Sequence, residues 1–228
     1  MSTVADPTIW DGAILCGGRS RRMGRDKALL VVAGEPMVLR VARALHGAGA
    51  SRIVAVGGDQ AGIAAALEPL AADPTNAGVS GAAGAEPASA HGPPDTETRP
   101  EVVATVPDQT PDAGPLGGIL TALAATASPV VLVVACDLMA PSVVAMATTV
   151  GTLVAHPAAD LAAPVVGSQT EWLHTAWQRR AQHPLAARFA AGERAIHRAV
   201  AAAALTVLAV PGLDPAVLAD ADTPTDLY

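Results

Sequence analysis

Six consecutive apolar residues, Val130-Val131-Leu132-Val133-Val134-Ala135, lie in a stretch without a single charge. A run that short, rich in β-branched residues and without alternation, suits a strand buried on both faces. Three weaker runs of the same kind cover residues 9–16, 52–56 and 102–106. Between the runs, residues 37–46, 60–70 and 116–125 carry apolar side chains at helical spacing. Strand, helix and strand in regular succession predict βαβ units on a mainly parallel sheet. With right-handed crossovers this is an α/β fold, open and three-layered. The second half is less regular. Residues 162–166, 171–177 and 205–210 read as further strands, and the sheet expected is open and mostly parallel (mixed). Residues 185–201 read as an alanine-rich helix broken near Gly192, and residues 223–227 open a final turn or helix.

A chain of 228 residues is long enough for one sizeable core without disulfides or a structural metal. We therefore expect a single domain over 1–228, with one foreign element inside it. Residues 73–100 are rich in Gly, Ala, Pro, Ser and Thr, with few large apolar groups and no periodicity, which predicts a flexible low-complexity insert. Acidic residues outnumber basic ones 21 to 14, for a net charge of −7. That balance argues against a nucleic-acid partner. The stretches between Asp112 and Asp137 and between Asp137 and Asp160 are free of charge and long enough to suggest membrane spans. Both contain Pro and Gly breaks and lack basic flanks, so no membrane partner is expected. Residues 1–7 show no basic region followed by an apolar one, so no signal peptide is expected. Cys16 and Cys136 fit neither a disulfide framework nor a CxxC motif and read as small buried fillers. A cytoplasmic setting is the expectation.

Chemistry concentrates after the first strand, in Leu15-Cys16-Gly17-Gly18-Arg19-Ser20-Arg21-Arg22-Met23-Gly24-Arg25-Asp26-Lys27. Ligands of open α/β sheets sit beyond the carboxyl ends of the strands. A Gly-Gly turn there lets backbone N–H groups approach an anion. Five of the chain's 14 cationic side chains fall within residues 19–27, and Lys27 is the only lysine. On an acidic protein such a cluster draws in a polyphosphate. Lysine is a compact point charge suited to a phosphate oxygen where a planar fork would not fit. The bland alternative is a solvated basic turn. The loop is neither a Walker A motif nor a Gly-x-Gly-x-x-Gly fingerprint, which sets aside a nicotinamide-dependent oxidoreductase.

Asp137 ends the clearest strand. A carboxylate there is costly to bury unless paired or bound to a metal, and Mg²⁺ takes one or two carboxylates plus substrate phosphates. Alternatively it caps the helix beginning near Pro141-Ser142. Asp222 precedes Thr223-Pro224, itself an ordinary helix start. Asp108 and Asp112 precede a second glycine-rich turn at Gly114-Pro115-Leu116-Gly117-Gly118, which holds a base or ribose, or is only a tight connection. His46, His91, His156, His174, His183 and His197 lack metal-ligand spacing and read as surface or satisfied core groups. Trp172 and Trp177 line an acceptor pocket or simply pack.

The loop of residues 15–30, together with Gly114-Pro115-Leu116-Gly117-Gly118-Ile119, Cys136-Asp137 and Asp222-Thr223-Pro224-Thr225-Asp226-Leu227, resembles the MobA-like nucleotidyltransferases in order and approximate spacing. The resemblance implies a Rossmann-like nucleotidyltransferase fold and an Mg²⁺-dependent enzyme. Its guanylyl-transferring branch moves GMP from GTP to the phosphate of molybdenum-bound molybdopterin and releases pyrophosphate. Carried over, Leu15, Cys16, Gly17 and Gly18 contact the nucleotide, the first three through backbone. Lys27 binds phosphate, and Gly57, Asp108 and Gly114 help hold the nucleotide. Asp137 binds Mg²⁺, with Asp222 beside it. Lys27, Arg21, Arg25 and Asp137 become the catalytic group. Proteins that deliver or accept the molybdenum cofactor are the implied macromolecular partners.

The chain departs from the family pattern in three places. The proline after Cys-Asp is displaced to Pro141. Thr170-Glu171-Trp172-Leu173-His174 replaces a His-Pro-apolar pattern on the acceptor side. The insert has no family role. Rival readings are cytidylyl transfer to molybdopterin, a phospholactate guanylyltransferase, a sugar-phosphate nucleotidyltransferase, or a non-catalytic nucleotide sensor. Leu15-Cys16-Gly17-Gly18 and Gly117-Gly118 look more like the guanylyl branch than the Ala-Ala-Gly and Ser-rich turns of the cytidylyl one.

Overall fold

A computed structural model describes residues 9–17, 26–72 and 103–221. The predicted insert, most of the basic loop (including Gly18, Arg21 and Arg25) and Asp222 lie outside the described residues.

The chain runs β1 (Trp10–Leu15), β2 (Val31–Val32), β3 (Glu35–Pro36), α1 (Met37–Gly47), β4 (Arg52–Val56), α2 (Gln60–Ala71), β5 (Val103–Val106), α3 (Pro115–Ala125), β6 (Val130–Ala135) and α4 (Val143–Val154). It continues with β7 (Leu161–Val166), β8 (Gln169–Thr170), β9 (His174–Gln178), α5 (Gln182–Ala190), α6 (Ile196–Ala202) and β10 (Val207–Val210). The main sheet has the order β10-β7-β9-β6-β1-β4-β5, with β8 on β7. β1 pairs parallel with both β4 and β6, whereas β9 runs antiparallel between β6 and β7. The predicted mixed, mostly parallel three-layer sheet is therefore what forms. β6 is buried at every position, as its unbroken apolar run requires.

Alternate side chains of each strand feed two cores. Ile14, Ile53, Leu132 and Val134 pack under α1, α2 and α4. Ala13, Val54, Val131 and Val133 pack under α3, α5 and α6. Trp177 is wholly buried in this second core and is a packing residue, whereas Trp172 is half-buried against its edge. No described helix is long and apolar enough to cross a membrane.

The helical stretch breaks near Gly192 as expected, into α5 and α6. Other boundaries differ from the sequence expectation. Residues 171–173 form a turn, and the strand starts only at His174. The β2–β3 hairpin had no sequence signature, because its two-residue turn is Ala33-Gly34, both at positive φ (53° and 86°), a conformation alanine rarely takes. At the foot of the sheet, Asp11 is buried and accepts hydrogen bonds from the Ala127 and Ser128 amides (3.3 and 3.2 Å), tying β1 to the start of β6.

Candidate active site

β1 lies between β4, reached through α1, and β6, reached only after α2, β5 and α3. Strand order therefore reverses at β1/β6, which is where open α/β sheets bind ligands. Cys16-Gly17 and Cys136-Asp137 leave the sheet side by side at that point.

On one flank, Gly17, Gly57 and Asp108 converge from the ends of β1, β4 and β5. A Cβ added to Gly57 would stand 3.2 Å from both the Cα and the N of Gly17, and Gly57 has φ +78°. Only glycine permits that approach. The Oδ1 atom of Asp108 accepts hydrogen bonds from the Thr110 amide (3.0 Å) and the Thr121 hydroxyl (3.3 Å). Its Oδ2 atom faces Gly17, 3.9 Å from where a Cβ there would be. The backbone at Leu15 and Cys16 is partly committed to the sheet. The Cys16 amide donates to Val56 O (2.8 Å), and Leu15 O accepts from the Cys136 amide (3.2 Å). This narrows the expected backbone contacts toward Gly17. The Leu15 side chain packs against Gly118, where a Cβ would stand 3.2 Å away, so Gly118 serves helix–sheet packing. Gly114 is the N-cap of α3 at φ +82°.

On the other flank, Lys27 and Asp137 form an ion pair at 3.1 Å, with side chains only 19% and 17% exposed. Lys27 Nζ also donates to Ala221 O at 2.7 Å. An ammonium has three donors, so among the described residues one is left over for a ligand oxygen. Asp137 does not cap the following helix. Ser142 does, accepting from the Ala145 amide at 3.2 Å. The expectation that a carboxylate ending β6 must be paired is met by Lys27.

The chain places Lys27 through Asp26, a residue whose role was not read from the sequence. Asp26 Oδ1 accepts from the Ala28 amide (3.0 Å) and caps the short 3₁₀ turn of residues Lys27–Leu29. Its Oδ2 atom accepts from the Asp59 amide (2.7 Å), fastening the loop to the β4–α2 connection. The only sequence signal for this was the adjacency of Asp26 to the lone lysine.

Cys16 and Cys136 are both buried. The hydrogen bond between their thiols and then burial push Cys16 well above the ordinary thiol range, so it stays protonated and is no nucleophile. His174 departs from the expectation of a satisfied core histidine. It is 2% exposed, and neither ring nitrogen makes a hydrogen bond of good geometry. Burial pushes its pKa down to about 4, against a weak opposing pull from the Ala145 backbone. The unfolded chain, with a histidine pKa near 6.5, then binds the extra proton between pH 6.5 and 4. Stability is complete above that window and falls as pH drops through it, by about 3 kcal/mol from this residue. A His174→Leu variant should lose less stability than the parent between pH 7 and 4.5, measured by urea midpoints. Equal losses in the two proteins would remove His174 from the account.

Among the described residues, no cluster of three or more His, Cys, Asp or Glu side chains could hold an ion alone. Asp137, one carboxylate at the ligand edge, fits a hard cation that takes its remaining oxygens from a bound polyphosphate.

A family model described as a MobA-like NTP transferase domain matches residues 12–207. A probable molybdenum cofactor guanylyltransferase of Chloroflexus aggregans is 31% identical over 198 residues, 85% of this chain and 77% of that protein. One of Pelotomaculum thermopropionicum with the same description is 35% identical over 127 residues, 56% of this chain. That match spans only 44% of the relative's length. Among solved structures, the molybdopterin-guanine dinucleotide biosynthesis protein A of Archaeoglobus fulgidus superposes with a TM-score of 0.62 at 19% identity, over 95% of this chain and 94% of that one. At that identity the likeness concerns the fold.

Proposed function

We propose, given that the chain belongs to the MobA-like NTP transferase family, that it transfers GMP from GTP to the phosphate of molybdenum-bound molybdopterin, releasing pyrophosphate. The observation that carries this reading is the division of the β1/β6 crevice. A glycine-floored cleft closed by Asp108 suits a nucleoside on one flank, and the Lys27–Asp137 pair suits a triphosphate on the other. The relatives described as molybdenum cofactor guanylyltransferases support the base and the acceptor.

In the proposed reaction an acceptor phosphate oxygen attacks the α-phosphorus of GTP. The bond to the bridging oxygen breaks, and pyrophosphate leaves with the electron pair. The nucleophile is already anionic, so no general base is required, and none stands out in the crevice. The protein's work is alignment and charge neutralisation. Gly17 and Gly57 admit the nucleotide close to backbone, and the free oxygen of Asp108 accepts from base or ribose. Lys27 offers its third donor to a phosphate oxygen while Asp137 and Ala221 fix its position. Asp137 would hold Mg²⁺, which supplies charge neutralisation on the phosphates when bound. Asp222 beside it, and Arg21 and Arg25 on the leaving group, are proposed on the resemblance alone. Carrier proteins for the cofactor and a cytoplasmic setting belong to the same proposal.

The test is pyrophosphate release with Mg²⁺ and molybdenum-loaded molybdopterin, comparing GTP, CTP, ATP and UTP. Release with GTP alone, dependent on the pterin, is expected. Release with CTP instead would move the chain to cytidylyl transfer. Tight Mg²⁺-dependent GTP binding without release would leave the nucleotide site and overturn the acceptor.

A further inference from the structure

We propose that Arg40 is a positioning residue for the turn that carries Asp137, an inference that rests on the nucleotidyl-transfer reading. The turn after β6 is rooted by Leu138, whose side chain is buried in the main core, and its other anchors are polar. The Met139 amide donates to Ala219 O (2.9 Å), Leu138 bridges to Asp220, and the Ala221 amide donates to Asp137 O (3.0 Å). Residues 137–139 and 219–221 thus clasp each other through backbone bonds. Lys27 joins the clasp through Asp137 and Ala221 O. Beyond Leu138, a second rigid element, α1, holds the unit at Met139. The helix runs back along the sheet from the ligand edge, so its first turn stands beside the clasp. From that turn Arg40 Nη2 donates to Met139 O at 2.9 Å.

The other end of the guanidinium argues that position is the point. Nη1 is buried and has no hydrogen-bond partner among the described residues. A buried donor left unpaired costs stability, and an apolar side chain of similar length would avoid that cost. The arginine is therefore explained by the bond its Nη2 makes. That bond ties Met139, two residues from Asp137, to a helix belonging to the main core. A turn held this way keeps Asp137 in register with Lys27 when a triphosphate arrives. Sub-ångström placement of charge is what sets rates in phosphoryl-type transfers.

The test uses Arg40→Met, which keeps the apolar stem, and Arg40→Lys, which keeps a charged donor. Hydrogen exchange on the full chain without ligand is the first readout. In Arg40→Met the amides of Met139 and Ala221 should exchange at least about tenfold faster, with β1 and the rest of α1 unchanged. Pyrophosphate release is the second. In the same variant kcat should fall about tenfold with KM for GTP within about twofold, and Arg40→Lys should recover most of the loss. Unchanged exchange at Met139 and Ala221 overturns the proposal. So does an equal loss in both variants with KM rising in step. A wild-type chain that releases no pyrophosphate from any nucleotide overturns the functional reading, and the exchange readout still decides whether Arg40 holds the turn.

Discussion

Lys27→Ala will lower nucleotidyl transfer by about a thousandfold or more while the protein stays folded. Removing one preorganised charge from a developing phosphate transition state costs on the order of 10²–10³ in rate. Here the same side chain also fixes Asp137, so a second group is misplaced when it goes. The stability change is far smaller. Lys27 and Asp137 are each partly solvated, so breaking the pair costs about 1–2 kcal/mol rather than the 3–5 of a fully buried one. Lys27→Arg should also lose most activity. The ammonium meets Asp137 Oδ2 and Ala221 O at once and still has a donor to spare. A rigid planar fork on a longer stem cannot reproduce that geometry. Steady-state pyrophosphate release with a parallel circular dichroism melt separates the two effects. If Lys27→Ala keeps more than about a tenth of the parental rate, Lys27 is not the phosphate-binding group.

Buried secondary structure was legible because burial leaves a compositional mark. β6 could hardly be anything but a central strand, and the runs at β1 and β4 end in glycine pairs where the chain leaves the sheet. Strand direction leaves no such mark. Nothing in His174–Gln178 says that β9 inserts antiparallel between β6 and β7, because that placement depends on a long connection through α4 and β7. The site divides in the same way. Lys27 stood out as the lone lysine, Asp137 and Gly17 as unusual residues at strand ends, and Gly57 and Asp108 through the resemblance; the fold places Lys27 against Asp137 and Gly17 beside Gly57 and Asp108. Asp26 and Arg40 escaped because their roles lie in partners distant along the chain, the Asp59 amide and the Met139 carbonyl. His174 escaped for a different reason: a histidine code does not reveal whether its nitrogens will find partners once buried.

Gly58→Ala should destabilise the protein by about 3–4 kcal/mol and impair catalysis as well, whereas Gly192→Ala should cost only about 1 kcal/mol. Both glycines have positive φ, +71° and +99°. Their surroundings differ. Gly192 lies just past the end of α5, and a Cβ on it meets nothing within 4 Å, so the penalty is that of the backbone conformation alone. A Cβ on Gly58 would stand 2.6 Å from Asp26 Oδ2, 2.7 Å from Ile63 Cδ1 and 3.1 Å from Cys16 O. None of these can yield freely. Asp26 Oδ2 is held by the Asp59 amide, Ile63 is fully buried in the core, and Cys16 O is backbone at the end of β1. The easiest relief is to push Asp26 aside. That would break its hold on residues 57–59 and tilt the capped turn that presents Lys27. Thermal melts should show the contrast as a drop of about 10 °C for Gly58→Ala against about 3 °C for Gly192→Ala. Pyrophosphate release should fall in Gly58→Ala even well below its melting point. Equal melting shifts for the two variants would mean that Asp26 gives way without cost, and that the loop holding Lys27 is not fastened through Asp59.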